Sequence, residues 1–103
     1  MADRGKTSDL LAHRWVRVPE EDTPEGAVYR PEDAEVPLSR RPREQLELSA
    51  DGSARVFKAG PDDRLQPEPA RWSEDDDGDV VVRGTTATHR IVRWSSDRLI
   101  VRR

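Results

Sequence analysis

The sequence predicts an all-β chain, folded as a single small antiparallel meander barrel of about seven strands. A short N-terminal helical turn and a long Pro-rich loop accompany it. Three observations carry this prediction. Short apolar runs alternate with polar residues at a period of two, as in Gln45-Leu46-Glu47-Leu48. Turn-forming residues separate the runs, most plainly Ala50-Asp51-Gly52. No amphipathic stretch of helical period reaches a useful length. An antiparallel meander must hide its two edges, and curling into a barrel does so.

Composition sets the scale of the fold. With 103 residues the chain makes one domain. Hydrophobic residues are 33% and charged residues 38%, which leaves a small core. The net charge of −3 is too low for the usual signature of disorder. Residues 1–9 are read as a flexible N-terminal tail and 10–103 as the barrel domain. The absence of cysteine excludes disulfides, thiol catalysis and Cys-based metal sites. No apolar run is long enough to span a membrane, and Met1–Leu10 is too polar for a signal peptide. A soluble, cytoplasmic protein that binds neither membrane nor nucleic acid is expected, as monomer or homodimer.

Taken in order, Thr7-Ser8-Asp9 caps a helical turn that begins with Leu10 and Leu11. Trp15-Val16-Arg17-Val18 then alternates as a strand with Trp15 inward, and the Arg17 stem covers an edge. Pro19 to Arg43 reads as one long connection with five prolines, anchored by Val28-Tyr29-Arg30-Pro31 and by Val36-Pro37-Leu38. Gln45–Ser49 and Ser53–Lys58 form a hairpin in which Leu46, Leu48, Ala54 and Val56 share the buried face. Phe57 falls on the other parity, so it covers the outside or a bulge shifts it in. Ala59 to Pro69 reads as a second loop, broken by Gly60-Pro61 and Pro67-Glu68-Pro69. Trp72 opens a strand, Glu74–Asp79 is a charged hairpin tip, and Val80–Arg83 returns. Thr88–Trp94 and Leu99–Arg102 close the chain around Ser95-Ser96-Asp97.

Charge is unevenly placed. Residues 80–103 hold six arginines against Asp97 alone, so the remainder is strongly acidic. Opposite-sign neighbours across the sheet are the expected arrangement. A basic surface for an anionic partner is the alternative. An acidic chain with few aromatics among its arginines does not fit a nucleic-acid binder.

A capped turn followed by a strand that opens on a tryptophan resembles the start of lipocalin-like, calycin-type barrels. His13 stands where those barrels usually carry the glycine of Gly-x-Trp. The run Trp15-Val16, Glu20-Glu21-Asp22-Thr23, Val28-Tyr29-Arg30-Pro31, Ser39-Arg40 and Asp51-Gly52 is also similar to small bacterial lipocalin-like proteins of uncharacterised function. The resemblance covers roughly residues 10–102. It implies the fold and, as in many such barrels, a small apolar ligand, but no activity.

Candidate binding residues follow from chemistry. Tyr29 and Arg30 pair a rigid amphipathic ring with a bidentate donor. Glu20 belongs to a carboxylate cluster where the long loop leaves the sheet. His89 is a half-buried strand position, and Trp15 is the largest apolar group of the core. No catalytic residue is assigned. No cofactor is expected, since no Gly-rich phosphate loop occurs. His13 and His89 lack ligand spacing, and Asp75–Asp79 lacks the spaced ligands of a calcium loop, so no metal is expected. The chain therefore reads as a binding protein for an apolar small molecule or a protein partner. Its binding surface is the barrel end closed by residues 19–43. A small barrel isomerase or cyclase is one alternative, and a protease-inhibitor or immunity-type protein is another.

Overall fold

The structure, a computed structural model, describes residues 5–36, 42–60 and 64–102. Helix α1 (Thr7–Leu11) precedes eight strands: β1 (Arg14–Arg17), β2 (Gly26–Pro31), β3 (Gln45–Leu48), β4 (Ser53–Ala59), β5 (Leu65–Glu74), β6 (Val80–Gly84), β7 (Thr88–Trp94) and β8 (Leu99–Arg102). All pairings are antiparallel, and the sheet closes in the order β1-β2-β8-β7-β6-β5-β4-β3. The class is as expected; the strand count is eight rather than seven.

The additional strand is β2, inside the segment read as loop. Val28 faces a small outer cluster with Val92 and Ile100, while Tyr29 faces the interior, so both are buried. Two adjacent buried residues erase the alternation by which a strand is recognised. β2 also departs from a continuous meander. It pairs with β8, and β1 lies between β2 and β3. The segment after β2 starts where the Glu32 N–H donates to the Arg14 carbonyl (2.8 Å). It ends where the Arg17 N–H donates to the Glu44 carbonyl (2.8 Å). Its two described ends therefore stand at opposite rims, on either side of β1. Pro37 and Leu38, two of its expected anchors, lie outside the described residues.

The interior is apolar through its middle. Trp15, Leu46, Val80, Val82, Ile91 and Leu99 are each 0% exposed. Leu46, Leu48, Ala54 and Val56 share this face as the hairpin pattern requires. Phe57 lies on the outer face under the Arg14 guanidinium, 4.6 Å from its ring centre. One rim is sealed by α1. Leu10 enters the core, and the Trp15 indole N–H donates to the Leu10 carbonyl (3.0 Å). The Trp94 indole N–H donates to the Lys6 carbonyl (3.1 Å), and the Gly5 N–H donates to the Trp94 carbonyl (2.7 Å). The helix starts at Thr7 rather than Leu10, because Lys6 rather than Thr7-Ser8-Asp9 is its N-cap. Asp9 turns back to accept the Lys6 N–H (3.0 Å).

Three irregularities set what each face carries. The first is a bulge in β7 between Ile91 and Arg93. Simple alternation from His89 and Ile91 would place Arg93 inside and Trp94 outside. The extra residue reverses this, so Trp94 enters the core and Arg93 pairs outside with Glu25.

The second is the length of β5. It pairs with β4 from Leu65 to Arg71 but with β6 only from Ala70 to Glu74. Pro67 and Pro69, read as loop breakers, lie in the overhanging part. The Trp72 N–H donates towards β4, to the Gly52 carbonyl (3.0 Å). By alternation residues 70, 68 and 66 also face β4, and 67 and 69 face the open edge. The prolines therefore sit where no ladder donor is needed.

The third is charge register. Opposite-sign pairs form at Arg90, with Asp75 and Asp79, and at Arg93, with Glu25, but the register also lines up like charges in the carboxy-terminal strands. Arg71 is directly opposite Arg83, and Arg90 is directly opposite Arg102. The hydrophobic pattern fixes the register, and like charges on the outer face come into line as a result. Among the described residues, no helix is long and apolar enough to cross a membrane.

Candidate functional site: the polar mouth of the barrel

At the rim opposite α1 the inner lining of four strands changes from apolar to polar within one inward-facing step. Trp15 gives way to Arg17 on β1, Val56 to Lys58 on β4, Ala70 to Glu68 on β5 and Ile91 to His89 on β7. Period two makes each pair share a face. Glu44, just before β3, joins this rim through its carbonyl bond to Arg17. The β4–β5 overhang extends the wall on one side and presents Lys58, Gln66 and Glu68.

The positive groups have fixed partners. Arg17 grips Asp22 with both terminal nitrogens (Nη2 to Oδ2 2.7 Å) and stands 5.8 Å from the centre of the Tyr29 ring. Asp22 also accepts the Val28 N–H (3.1 Å), which ties the β1–β2 connection to β2. The hydrogen bonds that Arg17 donates to Asp22 raise the Arg17 pKa. Lys58 donates to the Thr86 hydroxyl (2.6 Å) and lies 3.5 Å from Glu68. Glu68 accepts from the hydroxyls of Thr85 and Thr86, and these bonds lower its pKa.

Other groups are left exposed to the field of the site. Tyr29 is 3% exposed, and burial, reinforced by the Glu44 charge, pushes its phenol up to about 12. Burial lowers the His89 pKa; Glu44 and Glu68 oppose the shift and Lys58 assists it. The His89 Nδ1 is buried with no hydrogen-bond partner, an uncommon and costly state for a ring nitrogen. No described residue forms an ion pair with Glu44. Two clefts flank the mouth. One, of about 310 Å³, is lined by Arg17, Pro19, Pro42, Arg43 and Glu44. The other, of about 290 Å³, is lined by Lys58, Gln66, Pro67, Glu68 and Thr86. A larger cleft of about 680 Å³ lies at the α1 end, where Arg14 and Glu47 already pair across it.

The residues singled out from sequence divide between two places. Tyr29 and His89 both face inward, and both feel the Glu44 charge. Trp15 faces the same interior but deeper, packed edge-on against His13 at 5.5 Å. Arg30 and Glu20 lie outside the interior, Glu20 beside the cleft that Arg43 lines. Arg30 lies on the outer face of β2, donating to Glu21 (2.7 Å) and to the Asp97 carbonyl (3.2 Å). Glu20, on the short 3-10 turn Pro19–Glu21, is held by Arg43 (2.9 and 3.1 Å). Sequence reasoning missed Glu44, Lys58 and Glu68 and gave Arg17 no site role. Arg17 shares the parity of Trp15, which was the available signal. Among the described residues, no group of three or more His, Asp or Glu could hold a metal ion. Comparison with protein-family models, with curated proteins and with solved structures finds no match to this chain.

Proposed function

We propose that this chain is a small lipocalin-like binding protein that takes a small polar molecule at the mouth opposite α1 and does no chemistry on it. The reading rests on one observation above all: a buried, unpartnered His89 Nδ1 sits where four strands switch from apolar to polar lining. A stable protein gains nothing from an orphaned ring nitrogen, and such costs cluster at binding sites. Below the mouth the inward side chains are apolar and buried, so a polar ligand is held at the rim rather than in the depths where an apolar molecule would go. Glu44 accepts hydrogen bonds from the ligand, and His89 contributes the face that burial keeps neutral.

The test is a two-property comparison of wild type with His89→Leu. Removing the orphaned nitrogen is expected to stabilise the fold by about 1 kcal/mol. The same variant is expected to lose the ligand-induced amide shifts around residues 29, 44, 68 and 89 in an NMR screen of small amines, amino acids and hydroxy acids. Wild-type shifts confined to the α1 end, or no response to any compound, would remove the proposal. A His89→Leu variant that binds as well as wild type would do the same.

A further inference from the structure

The outer wall carries a feature independent of the mouth. On β4 to β8 a series of arginines faces outward: Arg55, Arg71, Arg83, Arg90 and Arg102; a second outward arginine of β7, Arg93, is paired with Glu25. Their inward neighbours Val56, Ala70, Val82, Ile91 and Val101 belong to the core. Register links them into one band. Arg71 opposes Arg83, and Arg90 opposes Arg102. Arg55 is diagonal to Arg71, because Arg55 pairs with Pro69 and Ser53 with Arg71. Arg83 is diagonal to Arg90, because Arg83 pairs with Thr88 and Val81 with Arg90. Opposed and diagonal neighbours stand about 5 and 7–8 Å apart, so the band is continuous.

Among the described residues, ion pairs neutralise only Arg90 of the five. Arg90 is held by Asp75 and Asp79. Arg83 donates to the Ser73 hydroxyl (3.3 Å). Glu47, opposite Arg55 in register, is bonded to Arg14 instead (3.4 Å). Asp51 feels Arg71 only weakly, its main partner being Ser53. Arg55, Arg71, Arg83 and Arg102 are exposed. Like charges directly opposite one another destabilise a sheet, and four strands would not need arginine at these positions for folding.

We infer that this band is a docking surface for an acidic, extended segment of a partner polypeptide. Alternate residues of an extended chain repeat every 6.5–7 Å, roughly the step between the arginines, so carboxylates on one face of the segment can each meet a guanidinium. A short segment fits better than a nucleic acid. A long polyanion would continue past the band onto a protein whose overall charge is −3. The outward aromatic ring beside the band, Phe57, is buried under the Arg14 guanidinium and so is closed to base stacking.

The experiment is fluorescence anisotropy with a labelled peptide of alternating glutamate and serine, about 10 residues long. Saturable binding that weakens with salt is expected for wild type. Arg71→Ser with Arg83→Ser is expected to weaken it about tenfold, while Arg98→Ser, on the β7–β8 turn off the band, leaves it unchanged. Should the double variant fail to fold, Arg102→Ser tests the other opposed pair and is expected to weaken binding about threefold. The proposal is overturned by no binding, or by equal binding to the band variants. It is also overturned by tighter binding of a single-stranded oligonucleotide of equal charge.

Discussion

Raising the pH is a clean perturbation of the mouth, because the chain has one tyrosine, Tyr29, and only two lysines, Lys6 and Lys58. Its arginines stay charged throughout the accessible range. Tyr29 is held up to about 12 from a normal 10.0, first by burial and then by Glu44. The folded state therefore keeps the phenolic proton while the unfolded chain releases it. Stability from this group is complete below pH 10 and drains away as the pH rises from 10 towards 12. Two pH units correspond to a loss of about 3 kcal/mol, a large share of the stability of a small domain. The assay is urea unfolding followed by tryptophan fluorescence across this range, with tyrosinate absorbance recorded on the folded protein. Tyr29→Phe is expected to flatten the alkaline limb. Glu44→Gln is expected to lower the pKa of both Tyr29 and His89, since Glu44 raises both. Folded protein that forms tyrosinate near pH 10, or a Tyr29→Phe variant with an undiminished alkaline loss, would refute the reasoning.

Two further predictions concern the frame that holds the mouth. A Cβ at Gly26 would collide with the Val101 carbonyl across the β2–β8 seam, so Gly26→Ala is expected to cost about 2–3 kcal/mol in chemical denaturation. Replacing both Pro67 and Pro69 with threonine restores donors along the open edge of β5. The expected outcome is a concentration-dependent dimer in sedimentation velocity, where wild type shows none through this edge; a variant that stays monomeric at every concentration would argue that the prolines do not guard it.

The parts of the fold that could be read from the sequence are those where one rule acts alone. Gly52 and Gly78 take φ of +89° and +83°, so the turn chemistry at Asp51-Gly52 and the charged tip before Asp79 marks hairpins directly. The alternation in β3 and β4 is equally direct. β2 was hidden because Val28 and Tyr29 are buried on opposite faces. The first half of β5 was hidden because proline argues against a strand, and only the pairing shows which edge each proline faces. The site suffered more than the fold. Lys58 and Glu68 lay at the border of an apparent loop, and Glu44 stood outside any strand. Arg30 drew attention as a neighbour of Tyr29, yet adjacent residues on a strand point to opposite sides, so only one of the two could face the interior.

The two rims of the barrel use their polar groups in opposite ways. At the α1 end the indole N–H groups of Trp15 and Trp94 are spent on backbone carbonyls of residues 10 and 6, so these two side chains lock the helix over the core. At the other end Arg17 is fixed by Asp22 and Lys58 by Thr86, but the groups between them, Glu44 and the His89 Nδ1, have no such bond. If the mouth served stability alone, the cheapest lining would continue the apolar series of Trp15, Val56 and Ile91 by one more step, or cap it as α1 caps the far rim. Instead the change of lining recurs on four strands that are separate in sequence. A set of independent departures from the packing rule that converge on one place needs a reason other than packing, and this convergence is what the proposed binding at this rim rests on.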